Sequence, residues 1–380
     1  MRLRLAVDAR FTRTDHHDGI SRYGASLIEA VAPYADVLML ISDERQLALL
    51  PDLPWLKINS PLSPAELLVA CRLNRLGADA VISPMQTMGS WGRKYPLILT
   101  LHDLIYYQNP APPGFLPLPV RVLWRLYHLA YWPQRLLLNR ADVVATISET
   151  TRTLMAGHRL TRRPVRIIGN APQPGTEIRD GAVPPEKSLL YMGSFMPYKN
   201  VETILRGMAK LPGYRLHLLS RISDQRRGEL AALVPPGADV IFHNGVTDEE
   251  YGRLLRSAAA LVTLSKAEGY GLPMIEAMAA GTPVVASDIP IFREVSGGAA
   301  LLTDPDSPED FAAAVSELGD PQRWRQASAA GLRRAAQYSW DSSAQQLLTA
   351  AEEASRLFSG RRRPAWFRRL PGIRRFPRFR

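Results

Sequence analysis

Two glutamates eight positions apart, Glu268 and Glu276, bracket a glycine turn in SKAEGYGLPMIEAMAAGTPVVAS, residues 265–287. The stretch reads as strand end, glycine loop, helix and strand. Pro273 suits a first helical turn, where its missing N–H has no intrahelical partner, and Gly281 suits the helix stop. The backbone N–H groups of Gly269, Tyr270, Gly271 and Leu272 are thereby left unpaired at the positive end of a helix dipole, which favours a phosphate or diphosphate. One such terminus contributes up to about 2 kcal/mol toward an anion, so a cation should assist it. Glu268 belongs to the loop and Glu276 to the first turns of the helix, so they should meet different parts of one extended ligand. A carboxylate accepts two hydrogen bonds from a vicinal diol, each about 1.5–3 kcal/mol when charged. Taken alone, each glutamate reads sooner as an ordinary residue, Glu268 as a solvated loop charge and Glu276 as a favourable first-turn acid.

Other residues have suitable chemistry at suitable places. Lys199, in YMGSFMPYKN, follows a strand and turn and offers the missing cation. His102 and Asp103, in LTLHDLIYY, stand just past a strand's carboxyl end, where open α/β sheets bind ligands. Gly19, in DGISRYG, either lets backbone approach a ligand or makes a plain turn before a helix. Asp304–Pro305–Asp306 has the look of a metal-binding pair, but its place in a loop before a helix fits caps better. No catalytic metal is expected.

The elements that must carry these residues alternate short β-branched or leucine-rich runs with longer amphipathic stretches, the mark of parallel sheets covered by helices. This happens twice in the 380 residues. Strands are predicted at residues 3–7, 37–41, 80–83, 97–101, 143–147 and 165–168, and again at 189–192, 216–219, 240–242, 261–264 and 284–286. The expected organisation is an N-terminal Rossmann-like domain over 1–172, a Pro/Gly-rich linker over 173–186 and a second, C-terminal Rossmann-like domain over 187–340. A helix over 341–359 follows, packing back on the first domain, and then a basic aromatic tail, 360–380. Cys71 is the sole cysteine, which excludes an intrachain disulfide and fits a reducing compartment. The N-terminal apolar run is too short for a signal peptide, and no uncharged stretch reaches the roughly 18 residues of a spanning helix.

The long motif E-G-Y-G-L-P-x-x-E-A-M-A-x-G-x-P-V-V-A-S, beginning at Glu268, closely resembles the donor site of glycosyltransferase family 4. The similarity runs from about Asp8 to the helix after Trp340. It implies α/β architecture of the GT-B type, two doubly wound Rossmann-like domains facing across a cleft, and transfer from a nucleoside diphosphate sugar with retained configuration and no cofactor. On that resemblance Glu268 lies against the transferred sugar, Glu276 holds ribose hydroxyls, Lys199 neutralises the diphosphate, His102 approaches the sugar and Gly19 belongs to a first-domain glycine loop. Many relatives carry an arginine five residues before the lysine; here that place is Ser194. Arg221, in HLLSRIS, is the residue expected to restore the lost charge. The loop details look nearest to bacterial mannosyltransferase-like members, so GDP-mannose leads UDP-sugars as the expected donor. A glycan or lipid-linked glycan in cell-surface polysaccharide or glycolipid synthesis is the expected acceptor.

The net charge is +11, and nine of those charges are the arginines between 361 and 380, which have no Asp or Glu among them. With Trp366, Phe367, Phe376 and Phe379 interleaved, this tail is expected to meet an anionic membrane surface, placing the chain in the cytoplasm on the inner face of the membrane. Residues 115–140 mix aromatics with arginines in a pattern that suits either an interface or a packed helix. Three other readings stand beside glycosyl transfer: a noncatalytic sugar-nucleotide or glycan binder, a GT-B epimerase or phosphorylase, and a nucleic-acid binder driven by the tail. The last is disfavoured because the folded body is nearly neutral, and no specific nucleic acid is expected.

Overall fold

A computed structural model describes residues 2–110, 118–181, 183 and 185–362. The first sheet contains β1 (Leu3–Asp8), β2 (Ala35–Ile41), β3 (Trp55–Lys57), β4 (Ala80–Ser83), β5 (Leu97–Leu101), β6 (Val143–Thr146) and β7 (Val165–Ile167), in the order 3-2-1-4-5-6-7. The second contains β8 (Glu186–Tyr191), β9 (Arg215–Leu218), β10 (Asp239–Phe242), β11 (Ala258–Thr263), β12 (Val284–Ser287) and β13 (Leu301–Thr303), in the order 10-9-8-11-12-13. Neighbouring strands pair in parallel, as β8 does with β9 and β11. Every residue of β4, β5, β6 and β12 is buried, because crossover helices cover both sheet faces. Continuous apolar runs rather than alternation are the result.

The helices that bear on the site are α1 (Gly19–Val31), α2 (Leu118–His128), α3 (Trp132–Leu138), α4 (Glu149–Gly157), α5 (Asp248–Ser257), α6 (Leu272–Ala279), α7 (Pro290–Ser296) and α8 (Trp340–Arg362). Strand order reverses between β1 and β4 in one sheet and between β8 and β11 in the other. At such a switch point successive connections leave in opposite directions, which opens a crevice at the carboxyl ends of the strands. The two crevices face one another.

Several bonds tie the units together. The α8 helix crosses back onto the first unit: Trp340 Nε1 donates to the Pro172 carbonyl (3.1 Å) and Ser343 Oγ to that of Gly169 (2.9 Å). Glu294 on α7 accepts from the backbone N–H groups of Glu149 and Thr150, each at 2.7 Å, and so caps α4 from across the interface. Between the sheets, Arg179 is held on the second unit, with its N–H on the Ala280 carbonyl (3.0 Å) and its guanidinium over Trp324.

Two strands lie outside the sequence expectation, β3 and β13. Each has three residues on a sheet edge, and none of the β3 side chains is buried, so neither has the apolar run that marks a central strand. The tail expectation, 360–380, falls on residues outside those described, apart from 360–362, which belong to α8. No helix among the described residues is long and apolar enough to cross a membrane.

Candidate functional site

The loop from β11 into α6 delivers Glu268. Gly271 precedes the helix at φ 96°, a left-handed conformation that glycine adopts without Cβ strain, and Pro273 occupies the first turn. Gly281 closes the helix at φ 78°. From β8 the chain turns through Pro197–Lys199 into Asn200, whose side chain donates to the carbonyls of Leu264 (3.1 Å) and Pro305 (2.6 Å). The Lys266 N–H also donates to the Tyr198 carbonyl (2.8 Å), so the two loops are stitched to each other. Lys199 Nζ consequently donates to Glu268 Oε2 in a largely buried ion pair, and Ser265 Oγ donates to the same oxygen at 3.3 Å. Burial and the nearby charges of Glu268 and Asp103 push the Tyr198 phenol up to about 12.

Glu276 faces a different space. Tyr251 on α5 donates its hydroxyl to Glu276 Oε2 at 3.1 Å. The two line a pocket of about 450 Å³ with Arg22, Asp248 and residues 173–177. Burial pushes the Glu276 carboxyl up, while Arg22 and the Tyr251 hydrogen bond act against it. Arg22 spans the interface to Asp248, with Nη2 at 3.2 and 3.3 Å from its two oxygens. Sequence reasoning passed over Tyr251 and Arg22. Arg22 lies inside the DGISRYG segment, but nothing around Tyr251 marks it as anything beyond a helical aromatic.

The first unit closes over the front of α6. Asp18 caps α1 by accepting from the Ser21 N–H (2.9 Å), which sets Gly19 as the first helical residue. A Cβ on Gly19 would stand 3.9 Å from Leu272 Cδ1, so this glycine faces the start of α6. A Cβ on Gly269 would lie 2.7 Å from Asp103 Oδ2. The carboxyl of Asp103 therefore rests directly on the Glu268–Gly269 turn. Burial pushes it up and the charge of Glu268 adds to the effect, against the Ile105 N–H donated to its other oxygen. His102 Nε2 is 2.7 Å from the Pro84 carbonyl, and its ring stands edge-on to Tyr23. A carbonyl only accepts, so Nε2 carries the proton and Nδ1 remains an acceptor. Burial pushes this imidazole down, toward the neutral form.

The remaining candidates are placed less centrally. Ser194 is exposed; its carbonyl accepts from the Tyr191 hydroxyl (2.6 Å). Arg221 is exposed past the end of β9, with Nη1 4.0 Å from Asp15 of the first unit. It borders the cleft but has no bond to the Lys199–Glu268 pair. Tyr270 directs its side chain away, donating to the Asn170 carbonyl (3.2 Å) in the seam between units, so only its backbone belongs to the α6 terminus. At the 304–306 loop the cap of the following helix is Ser307. Asp304 closes its own turn on the Asp306 N–H, and Asp306 pairs with Lys266.

The family model for glycosyl transferases group 1 matches residues 176–331, the span that holds Lys199, Glu268, α6 and Glu276. The matched span is under half of the chain. The chain is 34% identical over 169 residues to O-antigen chain mannosyltransferase B of Escherichia coli, covering 42% of this chain and 44% of that protein. It thus spans under half the length of that relative. A longer match, 28% identical over 293 residues, is to D-inositol 3-phosphate glycosyltransferase of Thermobispora bispora and covers 70% of this chain and 66% of that one. Among solved structures, sucrose-phosphate synthase of Thermosynechococcus elongatus superposes with a TM-score of 0.72 at 20% identity, over 94% of this chain and 100% of that one. The Anabaena HepE protein in complex with UDP and glucose superposes at 0.70 with 18% identity, over 92% and 99%. The whole chain has the GT-B fold, with most of the matched span in its second Rossmann-like unit.

Proposed function

We propose that the chain transfers a hexose, retaining its configuration, from a nucleoside diphosphate sugar to a hydroxyl of a glycan or lipid-linked glycan. The observation that carries this reading is the Lys199–Glu268 ion pair beside the amino end of α6, at the switch point of the second sheet. The diphosphate takes the N–H groups at that end and an ammonium proton of Lys199. Lysine has three protons, and the bond to Glu268 uses one. The ribose diol is assigned to Glu276, which Tyr251 steadies from behind.

In the transfer step the bond from the anomeric carbon to the leaving phosphate oxygen breaks while the acceptor oxygen bonds to the same face. The acceptor proton passes to the departing phosphate. Growing negative charge on that phosphate is met by Lys199 and the α6 dipole, the type of preorganised stabilisation worth about 2.7–4 kcal/mol per donor. Glu268 is assigned to the sugar hydroxyls. The neutral Nδ1 of His102 and the carboxyl of Asp103 cover the sugar from the first unit.

Mannose from GDP-mannose is the proposed donor group, supported by the likeness to an O-antigen chain mannosyltransferase. A UDP-sugar is the alternative, supported by the fold shared with a protein that binds UDP and glucose. No divalent metal is assigned a role. Residues 361–380 are proposed to hold the chain on the inner face of the cytoplasmic membrane through their arginines.

The test incubates the full chain with GDP-mannose, UDP-glucose and related donors plus lipid-linked glycan acceptors, and analyses the products by mass and anomeric configuration. Formation of a glycoside with the donor's configuration supports the reading. Donor binding without any product, or conversion of the donor to an epimer, refutes it.

A further inference from the structure

Residues 104–141 contain no Asp or Glu. The helices α2 and α3 lie in this stretch, and none of the eleven residues of α2 is buried. Leu118, Val122, Leu126 and Leu129 recur at i, i+4, i+8 and i+11, which puts them on one helical face. That face is in water: Leu118 is 71% exposed, Leu126 58% and Leu129 72%, and Leu123, Trp132 and Leu136 extend it. The orientation is fixed from behind, because Trp124 and His128 meet Tyr106 edge-on with ring centroids 4.8 and 5.9 Å away. Contiguous apolar surface of this kind marks an interaction site rather than ordinary scatter.

Charge decides the occupant. Among the described residues, Arg121, Arg125, Arg135, Arg140, Arg159 and Arg162 form no ion pair. Arg135, Arg140, Arg159, Arg162 and Arg163 line an open groove of about 1190 Å³ alongside α3. A second copy of the chain, or its own arginine tail, would set like charge against like. Nucleic acid would satisfy the arginines but leave a row of leucines in water. An anionic bilayer answers both features, since lipid phosphates meet the guanidinium rim while leucine and tryptophan side chains enter the acyl boundary. We propose that α2 and α3 dock the chain on an anionic lipid bilayer, with the leucines of α2 and Trp132 inserted. This docking stands independently of the catalytic reading. One consequence does rest on that reading: Tyr106 follows Asp103 by three residues, so the docked face borders the cleft and a lipid-linked acceptor would enter from this side.

The experiment uses the full chain with vesicles of phosphatidylcholine alone or mixed with phosphatidylglycerol, reading co-sedimentation and amide exchange. Slowed exchange in residues 118–138 with the anionic vesicles alone is expected. The combined variant Leu123→Ser, Leu126→Ser and Trp132→Ser should weaken partitioning on the order of tenfold or more. Arg135→Gln with Arg140→Gln and Arg162→Gln should weaken it and flatten its salt dependence. All these side chains are exposed or rim residues, and an unchanged thermal midpoint checks that the variants fold. Unchanged partitioning of the leucine variant, vesicle binding with no protection of 118–138, or protection that grows with protein concentration in the absence of lipid would each overturn the proposal. So would protection of the segment by an acidic protein and by no vesicle.

Discussion

Lys199 and Glu268 leave neighbouring strands, β8 and β11, on either side of the point where the second sheet reverses its order, and meet as an ion pair. Each orients the other. Lys199→Ala is expected to lower turnover about 10²–10³-fold, the usual loss for one preorganised donor at a leaving group. Glu268→Gln should keep donor binding and lose transfer. Because the two side chains touch, the double variant should lose less than the product of the single losses, and steady-state kinetics on the three variants would measure that coupling.

Tyr251 reaches Glu276 from α5 without lying on the reaction path. Tyr251→Phe should weaken nucleoside diphosphate binding by about 3- to 10-fold, on the order of 1 kcal/mol, with turnover at saturating donor unchanged. The lost hydrogen bond favours the carboxylate, so the Glu276 carboxyl should rise further and the acid limb of donor binding should move to higher pH. Calorimetric titration across pH measures both effects. A fall in turnover with unchanged affinity would place Tyr251 elsewhere in the cycle.

The contact of Asp103 with Gly269 makes a comparison between two glycines informative. A methyl at Gly269 would enter the space of Asp103 Oδ2, at 2.7 Å, whereas one at Gly19 meets Leu272 at an ordinary 3.9 Å. Gly269→Ala should therefore push the units apart at a cost of about 1–3 kcal/mol and cut activity at least tenfold. Gly19→Ala should leave stability within about 0.5 kcal/mol. Thermal melts and small-angle scattering separate the two outcomes.

How far the sequence reaches is visible in these same residues. Central strands were legible because burial on both faces demands unbroken apolar runs, and α6 was legible because Gly271, Pro273 and Gly281 each answer a backbone requirement. Glu268, Glu276 and Lys199 could be picked out one by one as candidates. The pairing of Lys199 with Glu268 was not, since it depends on which strands are neighbours. Tyr251 was invisible for a similar reason: its hydroxyl finds Glu276 across 25 residues of chain, and a helical tyrosine is ordinarily a packing residue. The stretch over 173–186 read as a linker because of its prolines and glycines, yet residues 173–177 help line the Glu276 pocket. Composition reports backbone freedom but not what a loop is laid against.

His217 supplies a pH test away from the cleft. Burial, then the neighbouring His243 ring at 2.8 Å between Nδ1 and Nε2, pushes its imidazole down to about 4, against about 6.5 in an unfolded chain. Between those values the unfolded state binds the extra proton, so this residue makes stability rise as pH increases from about 4 to 6.5. Asp103 and Glu276, both pushed up, tilt the curve the other way but are common to wild type and variant. The difference in urea midpoint between wild type and His217→Gln should therefore shift in favour of wild type over that window and level off above it. A difference that stays constant with pH would contradict the assignment.

The most direct measurement is a crystal structure of the full chain with a nucleoside diphosphate. The expected density has the diphosphate against the N–H groups of Gly269–Leu272, Lys199 on a phosphate oxygen and the ribose diol on Glu276. A diphosphate bound away from the amino end of α6, or a ribose that leaves Glu276 on Tyr251 alone, would contradict the account.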